Sequence, residues 1–410
     1  MSKLLINKLA SENCLKKAWD NLEKRPYSHG FDDITIAQFK DNLSNYISET
    51  VSLLGSGKYS FYPLRLYLKD KGGGDYRQIK IPTIRDRVVQ RAVANLIAPY
   101  LEKKYNLDND ISFAYVRHKS IEKAAIRILK LREEGYRYVC KADIIKFFDN
   151  IDRKILIGKI EAALPDKSLV PLIKAALDND IANTDYYEQK TGESYVPNSL
   201  AGVAQGCPLS PLFANVFLAD FDKVLKAKGY KVVRYADDFV IMTKSRDEAK
   251  NGFYLAKKEL EKIKLSLYEL KDDITVELWK KNAKYSHVRS CQQLEFLGLR
   301  FESGKVYPAG SAYKNAMKSI RLLAYDNRVG FAKKLEGINA RIQGWCSSYS
   351  FTELEGKKIA SVDTSLEDVL TRMLKHHSLA KTSRQSTANI LGLKTFGQVT
   401  NKVRAKINKH

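Results

Sequence analysis

The sequence has few of the marks expected of a secreted or helical membrane protein. It has no run of about 18 or more apolar residues, so no segment is long enough to cross a bilayer as a helix. The opening MSKLLINKLASENCLKKAWDN has neither an apolar core nor a small-residue cleavage site, so no secretory leader is expected. Cysteine is scarce: five residues, at positions 14, 140, 207, 291 and 346, odd in number and widely scattered. No Cys-x-x-Cys pair occurs, which argues against a zinc ribbon and a disulfide framework and fits a reducing cytoplasm. Internal repeats and low-complexity stretches are missing too. Acidic residues disappear from Thr371 onward, where nine basic residues remain.

The sequence has length, an ordinary apolar fraction and a large positive charge. Its 410 residues allow two to four domains, and 44% apolar residues are enough for a packed core. The 70 Lys and Arg against 47 Asp and Glu leave a net charge of +23, more than an ordinary metabolic enzyme carries. A polyanionic partner follows, either nucleic acid or an anionic membrane surface. No basic amphipathic surface helix stands out, which favours nucleic acid over the membrane. From Glu302 to the end, 19 basic residues face 8 acidic ones, so about half of the excess sits in about a quarter of the length.

Local patterns outline the elements. Gly72–Gly73–Gly74 is the only glycine cluster and reads as a hairpin tip between Phe61–Leu68 and Ile79–Ile81. Helical spacing runs from Ser120 to Glu134, and a strand is expected over Tyr136–Ala142, ending at Asp143. Asp152 is placed to cap a helix carrying Ile155, Leu156 and Ile160. A loop over Gly202–Gln205 precedes a helix over Leu209–Leu225, then a hairpin over Lys231–Thr243 and a helix over Gly252–Leu265. Leu294–Phe301 reads as one further short strand. Phe331, Leu335, Ile338, Ile342, Trp345 and Tyr349 form one apolar stripe of a long helix, and two or three helices are expected over residues 311–410.

The sharpest feature is VVRYADDFVIMT, Val232–Thr243, with adjacent carboxylates between two apolar strands. Neighbouring like charges repel unless a cation sits between them. A tight hairpin also prefers Asn-Gly or Asp-Gly, so Asp-Asp is a poor choice for a turn alone. A solvated acidic turn is the bland alternative. The apolar residues on both sides instead put the pair at a core edge. KADIIKFFDNID, Lys141–Asp152, supplies another carboxylate, Asp143, where a strand ends. Alone, Asp143 could be a helix cap. With Asp237 it supplies the parts of a site holding two divalent ions about 3.5–4 Å apart. Hard oxygen ligands select Mg²⁺.

YADD after an apolar strand, with an upstream Asp followed by aromatics, resembles a reverse transcriptase. Other blocks follow in the family's order: YLKDKGGGDYRQIKIP at Tyr67–Pro82 and IRDRVVQ at Ile84–Gln90, then SFAYVRHKS at Ser112–Ser120 and AQGCPLSPLFANVFLAD at Ala204–Asp220. LYELKDDI at Leu267–Ile274 and LEFLGLRF at Leu294–Phe301 come after YADD. INARIQGWCSSY at Ile338–Tyr349 is similar to the thumb, or maturase X region, of group II intron reverse transcriptases.

The resemblance implies an α+β right-hand polymerase: fingers over 1–135, a palm with an antiparallel sheet over 136–300 and a basic helical thumb over 301–410. It implies that Asp143 and Asp237 ligate two Mg²⁺ ions, with the Ile144 carbonyl as a further ligand and Asp238 in support. Phe148 aligns with the ring that excludes a ribose 2′-OH, leaving open whether Phe147 or Phe148 does so. Lys69 and Arg77 match the pair that holds the dNTP triphosphate, against the bland reading of a solvated hairpin. Gln205 and Gly206 match the pocket floor, with Pro208 and Pro211 shaping its turn. Lys271 matches a lysine that protonates pyrophosphate, or is one more exposed lysine. Leu297 and Gly298 match the primer grip. The expected partners are an RNA template and an RNA/DNA duplex, with no membrane.

Two departures from the group II pattern narrow the family. No DNA-binding or endonuclease domain is expected after the thumb, and His376–His377 lacks nearby cysteines. The retron Val-Thr-Gly thumb motif is also missing. The chain is therefore most similar to the stand-alone, defence-associated reverse transcriptases of the unknown-group class. That likeness implies cDNA synthesis on a dedicated structured non-coding RNA in antiphage defence. The alternatives are a group II intron maturase and an RNA-dependent RNA polymerase, although the latter usually carries Gly-Asp-Asp and lacks a bulky gate residue.

Overall fold

The computed structural model describes residues 4–22, 29–197, 200–270, 287–290, 294–376 and 387–407. It divides into two compact units, Met1–Ala124 with Tyr138–Val288, and Ala125–Arg137 with Arg289–His410. Helices and antiparallel sheets occur in both units, as an α+β fold requires.

In the first unit, β1 (Arg65–Gly72) and β2 (Asp75–Ile81) form the expected hairpin. Leu66 and Leu68 are buried, while Tyr67 and Lys69, on the opposite face of the pleat, are exposed. The helix Ile84–Tyr105 follows, opened by the Thr83 hydroxyl, which accepts from the Asp86 N–H. Its buried residues include Val88, Val89, Ala92, Val93 and Ile97, so it forms part of the unit's core.

The sheet that carries the carboxylates has four strands in the order β4-β5-β3-β6. They are β3 (Tyr138–Asp143), β4 (Lys231–Tyr235), β5 (Asp238–Thr243) and β6 (His287–Ser290). Central β5 is buried from Phe239 to Thr243 without a polar alternation, so both of its faces are covered. Helices Ser210–Ala227 and Arg246–Glu261 pack against this sheet. Asp152 does cap Arg153–Ala163: its Oδ1 accepts from the Ile155 N–H at 2.9 Å.

The second unit departs from the expected pattern twice. Leu294–Phe301 is not one strand: β7 (Glu295–Phe296) turns at Leu297–Gly298 into β8 (Leu299–Glu302), and β9 (Lys305–Pro308) completes an antiparallel sheet. After it come five described helices, not two or three: Gly310–Ala324, Phe331–Ser348, Gly356–His376, Thr387–Ile390 and Phe396–Ile407. The predicted stripe does face their common core: Ile338, Ile342 and Trp345 are buried, and Phe331, Leu335 and Tyr349 pack against them. Among the described residues, no helix is long and apolar enough to cross a membrane.

Candidate active site

The first unit gathers most of the predicted site residues around one end of the β3, β4 and β5 strands. Tyr235 pairs with Asp238, so only Ala236 and Asp237 form the turn between β4 and β5. Ala236 has φ of +59° and is buried; Asp237 is not in the positive region. Positive φ at the first loop residue alone is the pattern of a type II′ turn, where glycine is ordinary. An alanine held there stores roughly 1–3 kcal/mol of strain.

Asp143 is the last residue of β3 and stands directly opposite Asp238. Residues so paired have Cβ atoms about 4.5–5.5 Å apart, and like charges there are destabilising. The Ile144 N–H donates to the Asp237 carbonyl at 3.4 Å, which ties the turn to the chain leaving β3. All three aspartates are half-buried.

That donor set suits a hard divalent ion, although among the described residues no three His, Cys, Asp or Glu side chains form a cluster able to hold one. Mg²⁺ does not need such a cluster. It commonly takes one or two carboxylates and fills its octahedron with water and substrate phosphates. Asp143 and Asp237 would supply such carboxylates, with the Ile144 backbone bonded to the same turn.

Beyond Ile144, the Ile145 N–H bonds the Ser266 carbonyl at 2.9 Å and the chain turns at Lys146, φ +45°. The two following rings stand edge to face, with centroids 5.4 Å apart. Phe147 is in the core at 1% exposure, whereas Phe148 is half-buried. The Phe148 carbonyl accepts from the Val203 N–H at 2.8 Å, and the Gln205 carbonyl from the Lys80 N–H at 2.8 Å. Gly206, at φ +116°, lies so close to β2 that a Cβ would sit 2.7 Å from the Lys80 carbonyl oxygen. Only glycine fits. Pro211 occupies the first turn of the Ser210–Ala227 helix, where its missing N–H costs nothing. Burial pushes the neighbouring Cys207 thiol up to about 12, so it is inert at neutral pH.

The hairpin carries the cations. Lys69 and Arg77 are directly paired across β1 and β2, and both are exposed. The Lys80–Gln205 bond joins this hairpin to the Gly206 segment, and the Val203–Phe148 bond joins that segment to the chain leaving β3.

Tyr115 was missed as an individual site residue, although its block was noticed. Its φ is +60° and its side chain is exposed. Its phenol is raised mainly by burial of part of the ring, then by the charge of Asp237 and by Tyr235, while Arg77 lowers it. It therefore lies within electrostatic reach of both the cationic hairpin and the carboxylate turn. A tyrosine in a loop gives no sequence signal of that kind. Lys271 lies outside the described residues. Leu297 and Gly298 belong to the second unit, where both have positive φ (+56° and +73°), the pattern of a type I′ turn.

Paired carboxylates at a sheet end, joined through backbone bonds to a cationic hairpin, make the equipment of metal-assisted phosphoryl transfer. The chain belongs to the reverse transcriptase (RNA-dependent DNA polymerase) family, whose model matches residues 68–301. It is 30% identical over 185 residues to the group II intron-encoded protein LtrA of Lactococcus lactis subsp. cremoris, covering 44% of this chain and 28% of LtrA. It is 25% identical over 207 residues to protein YkfC of Escherichia coli (strain K12), covering 49% of this chain and 51% of YkfC. The match thus spans about half of one relative and less of the other. Among solved structures, a partial Cas6-RT-Cas1--Cas2 complex aligns with 64% of this chain and 42% of that one at 26% identity and a TM-score of 0.40. Apo telomerase from Candida tropicalis aligns with 83% of this chain and 67% of that one at 14% identity and a TM-score of 0.43.

Proposed function

We propose that the protein is an RNA-directed DNA polymerase that extends a primer 3′-OH on an RNA template. The observation that carries this reading is the Asp143–Asp238 cross-strand pair beside Asp237, joined through backbone bonds to the Lys69–Arg77 hairpin. Asp143, Asp237 and the Ile144 carbonyl hold two Mg²⁺ ions, and Asp238 supports them. Bound there, the ions supply charge neutralisation at the attacking and leaving oxygens. Lys69 and Arg77 hold the triphosphate, the lysine as a point charge and the arginine as a fork. Gln205 and Gly206 form the floor of the nucleotide pocket, and the glycine lets that segment close onto β2. Phe148 is the ring that leaves no room for a 2′-OH, since Phe147 is committed to the core. The protein's work is positioning and charge neutralisation. In this reading residues 1–135, 136–300 and 301–410 act as fingers, palm and thumb, and Lys271 protonates the departing pyrophosphate.

The template is a dedicated structured non-coding RNA, and the cDNA serves antiphage defence. The basic excess after Glu302 supports a large RNA surface held through phosphates. The likeness to a group II intron-encoded protein favours a second reading, a maturase that folds intron RNA. Sequencing the RNA that co-purifies, before and after phage infection, separates the two. A small RNA encoded beside the gene, copied when dNTPs and Mg²⁺ are added, supports the first. An intron surrounding the gene supports the second. No cDNA, with phage protection unchanged by Asp237→Asn plus Asp238→Asn, would sink the first.

A further inference from the structure

The turn that carries Asp237 is strained, and one buried side chain reaches it. Arg234 is 1% exposed and makes a fork with Asp222, Nε to Oδ1 at 2.8 Å and Nη2 to Oδ2 at 2.6 Å. Its remaining nitrogen, Nη1, donates to Asn215 Oδ1 at 3.2 Å and to the Ala236 carbonyl at 3.0 Å. Asn215 also accepts from the Ser112 hydroxyl at 3.0 Å and donates to the Ala114 carbonyl at 2.8 Å. Backbone bonds join the same pieces: Phe113 N–H to the Arg234 carbonyl and Arg234 N–H to the Ile111 carbonyl, both at 2.8 Å. Asp222, Asn215 and Ser112 are all buried.

We propose that Arg234 is a positioning residue: with Asp222 and Asn215 it holds the Ala236–Asp237 turn in its strained form and so sets where the Asp237 carboxylate stands. This rests on the polymerase reading above. The guanidinium suits the task because its planar fork is fixed by Asp222, leaving the third nitrogen aimed at the turn. Its charge is cancelled by Asp222, so it can bond the turn that carries Asp237 without acting as an unpaired cation. A lysine could match the charge but not both the fork and the reach to Ala236. The same framework ends at Ala114, so it also fixes the stem on which Tyr115 is presented.

Three variants test this in the full-length protein. The pair Asp222→Leu with Arg234→Met replaces the ion pair by apolar side chains, a change that buried pairs often tolerate. It is expected to fold, to lower kcat about tenfold or more with little change in dNTP KM, and to shrink the Mg²⁺-induced rise in melting temperature. Arg234→Lys is expected to lose kcat as well, and it decides the matter alone if the pair does not fold. Glycine adopts the Ala236 conformation without strain, so in an Ala236→Gly background the loss caused by either change should be clearly smaller. Folded variants with unaltered kcat and Mg²⁺ response overturn the positioning role, as does an equal loss in both backgrounds. If the unaltered protein makes no cDNA with Mg²⁺, the polymerase reading fails instead.

Discussion

Two antiparallel pairs in the first unit place like charges directly opposite each other. Lys69 faces Arg77 on the β1–β2 hairpin, and Asp143 faces Asp238 between β3 and β5. Neither arrangement favours an isolated sheet, since like charges across strands repel. The surroundings differ. The cations are exposed, so water and salt screen them, and the hairpin carries them at little cost. The carboxylates are half-buried at the end of a sheet whose central strand is covered on both faces, where screening is weaker. The cationic pair suits a phosphate chain, and the carboxylate pair suits a divalent cation. A nucleotide–metal complex brings both. The exposed pair stands on a solvated hairpin, while the carboxylate turn is bonded to the buried Arg234.

The sharpest way to break the comparison is to neutralise each pair. Asp143→Asn should lower kcat by about a thousandfold, because it removes a charge that matters most in the transition state. Lys69→Ala or Arg77→Ala should act mainly on dNTP KM, raising it roughly tenfold, more steeply at low salt than at high. Steady-state kinetics over a salt series checks both, and equal effects on kcat would erase the distinction. Next, Phe148→Ala should raise incorporation of rNTP relative to dNTP about tenfold or more, and no change in that ratio would return Phe148 to a packing role.

Smaller effects sharpen the electrostatics. Asp152 pairs with Lys264 at 2.5 Å, an opposite-sign reference in the same unit. The Lys264 ammonium, then the Ile155 N–H, hold the Asp152 carboxyl below its ordinary range. A depressed carboxyl stabilises the fold above its unfolded value near 3.9 and loses that contribution as pH falls through the folded value. Asp152→Ala should therefore cost about 1 kcal/mol at pH 7, with the gap closing towards pH 3 in urea unfolding. The like-charged pair is read through its ion instead: added Mg²⁺ should raise the melting temperature of the unaltered protein more than that of Asp143→Asn.

The sequence made the carboxylate site legible because its evidence is local. Apolar strands frame YADD, a strand ends at Asp143, and Asp152 precedes an amphipathic run; each of these is a pattern of a few neighbouring residues. The Arg234 network was not legible, since its bonds reach across 12, 19 and 103 residues of chain. An arginine within an apolar strand carries no mark of what it holds. Leu294–Phe301 misled for a different reason. Its turn is built on Leu297 at φ +56°, and a bulky residue there does not look like a turn. The five described helices of the second unit were undercounted because no proline follows Pro308 to mark their breaks. Gly206 was found only through the family resemblance, and the close approach of Lys80 supplies the physical reason for a glycine there.

The most direct test of the account is primer extension on an RNA template with dNTPs and Mg²⁺, comparing the unaltered protein with Asp237→Asn. The account predicts DNA product that depends on the template, requires Mg²⁺ and falls by about a thousandfold in the variant. Equal product from the two proteins, or none from the unaltered one across template and Mg²⁺ series, would contradict it.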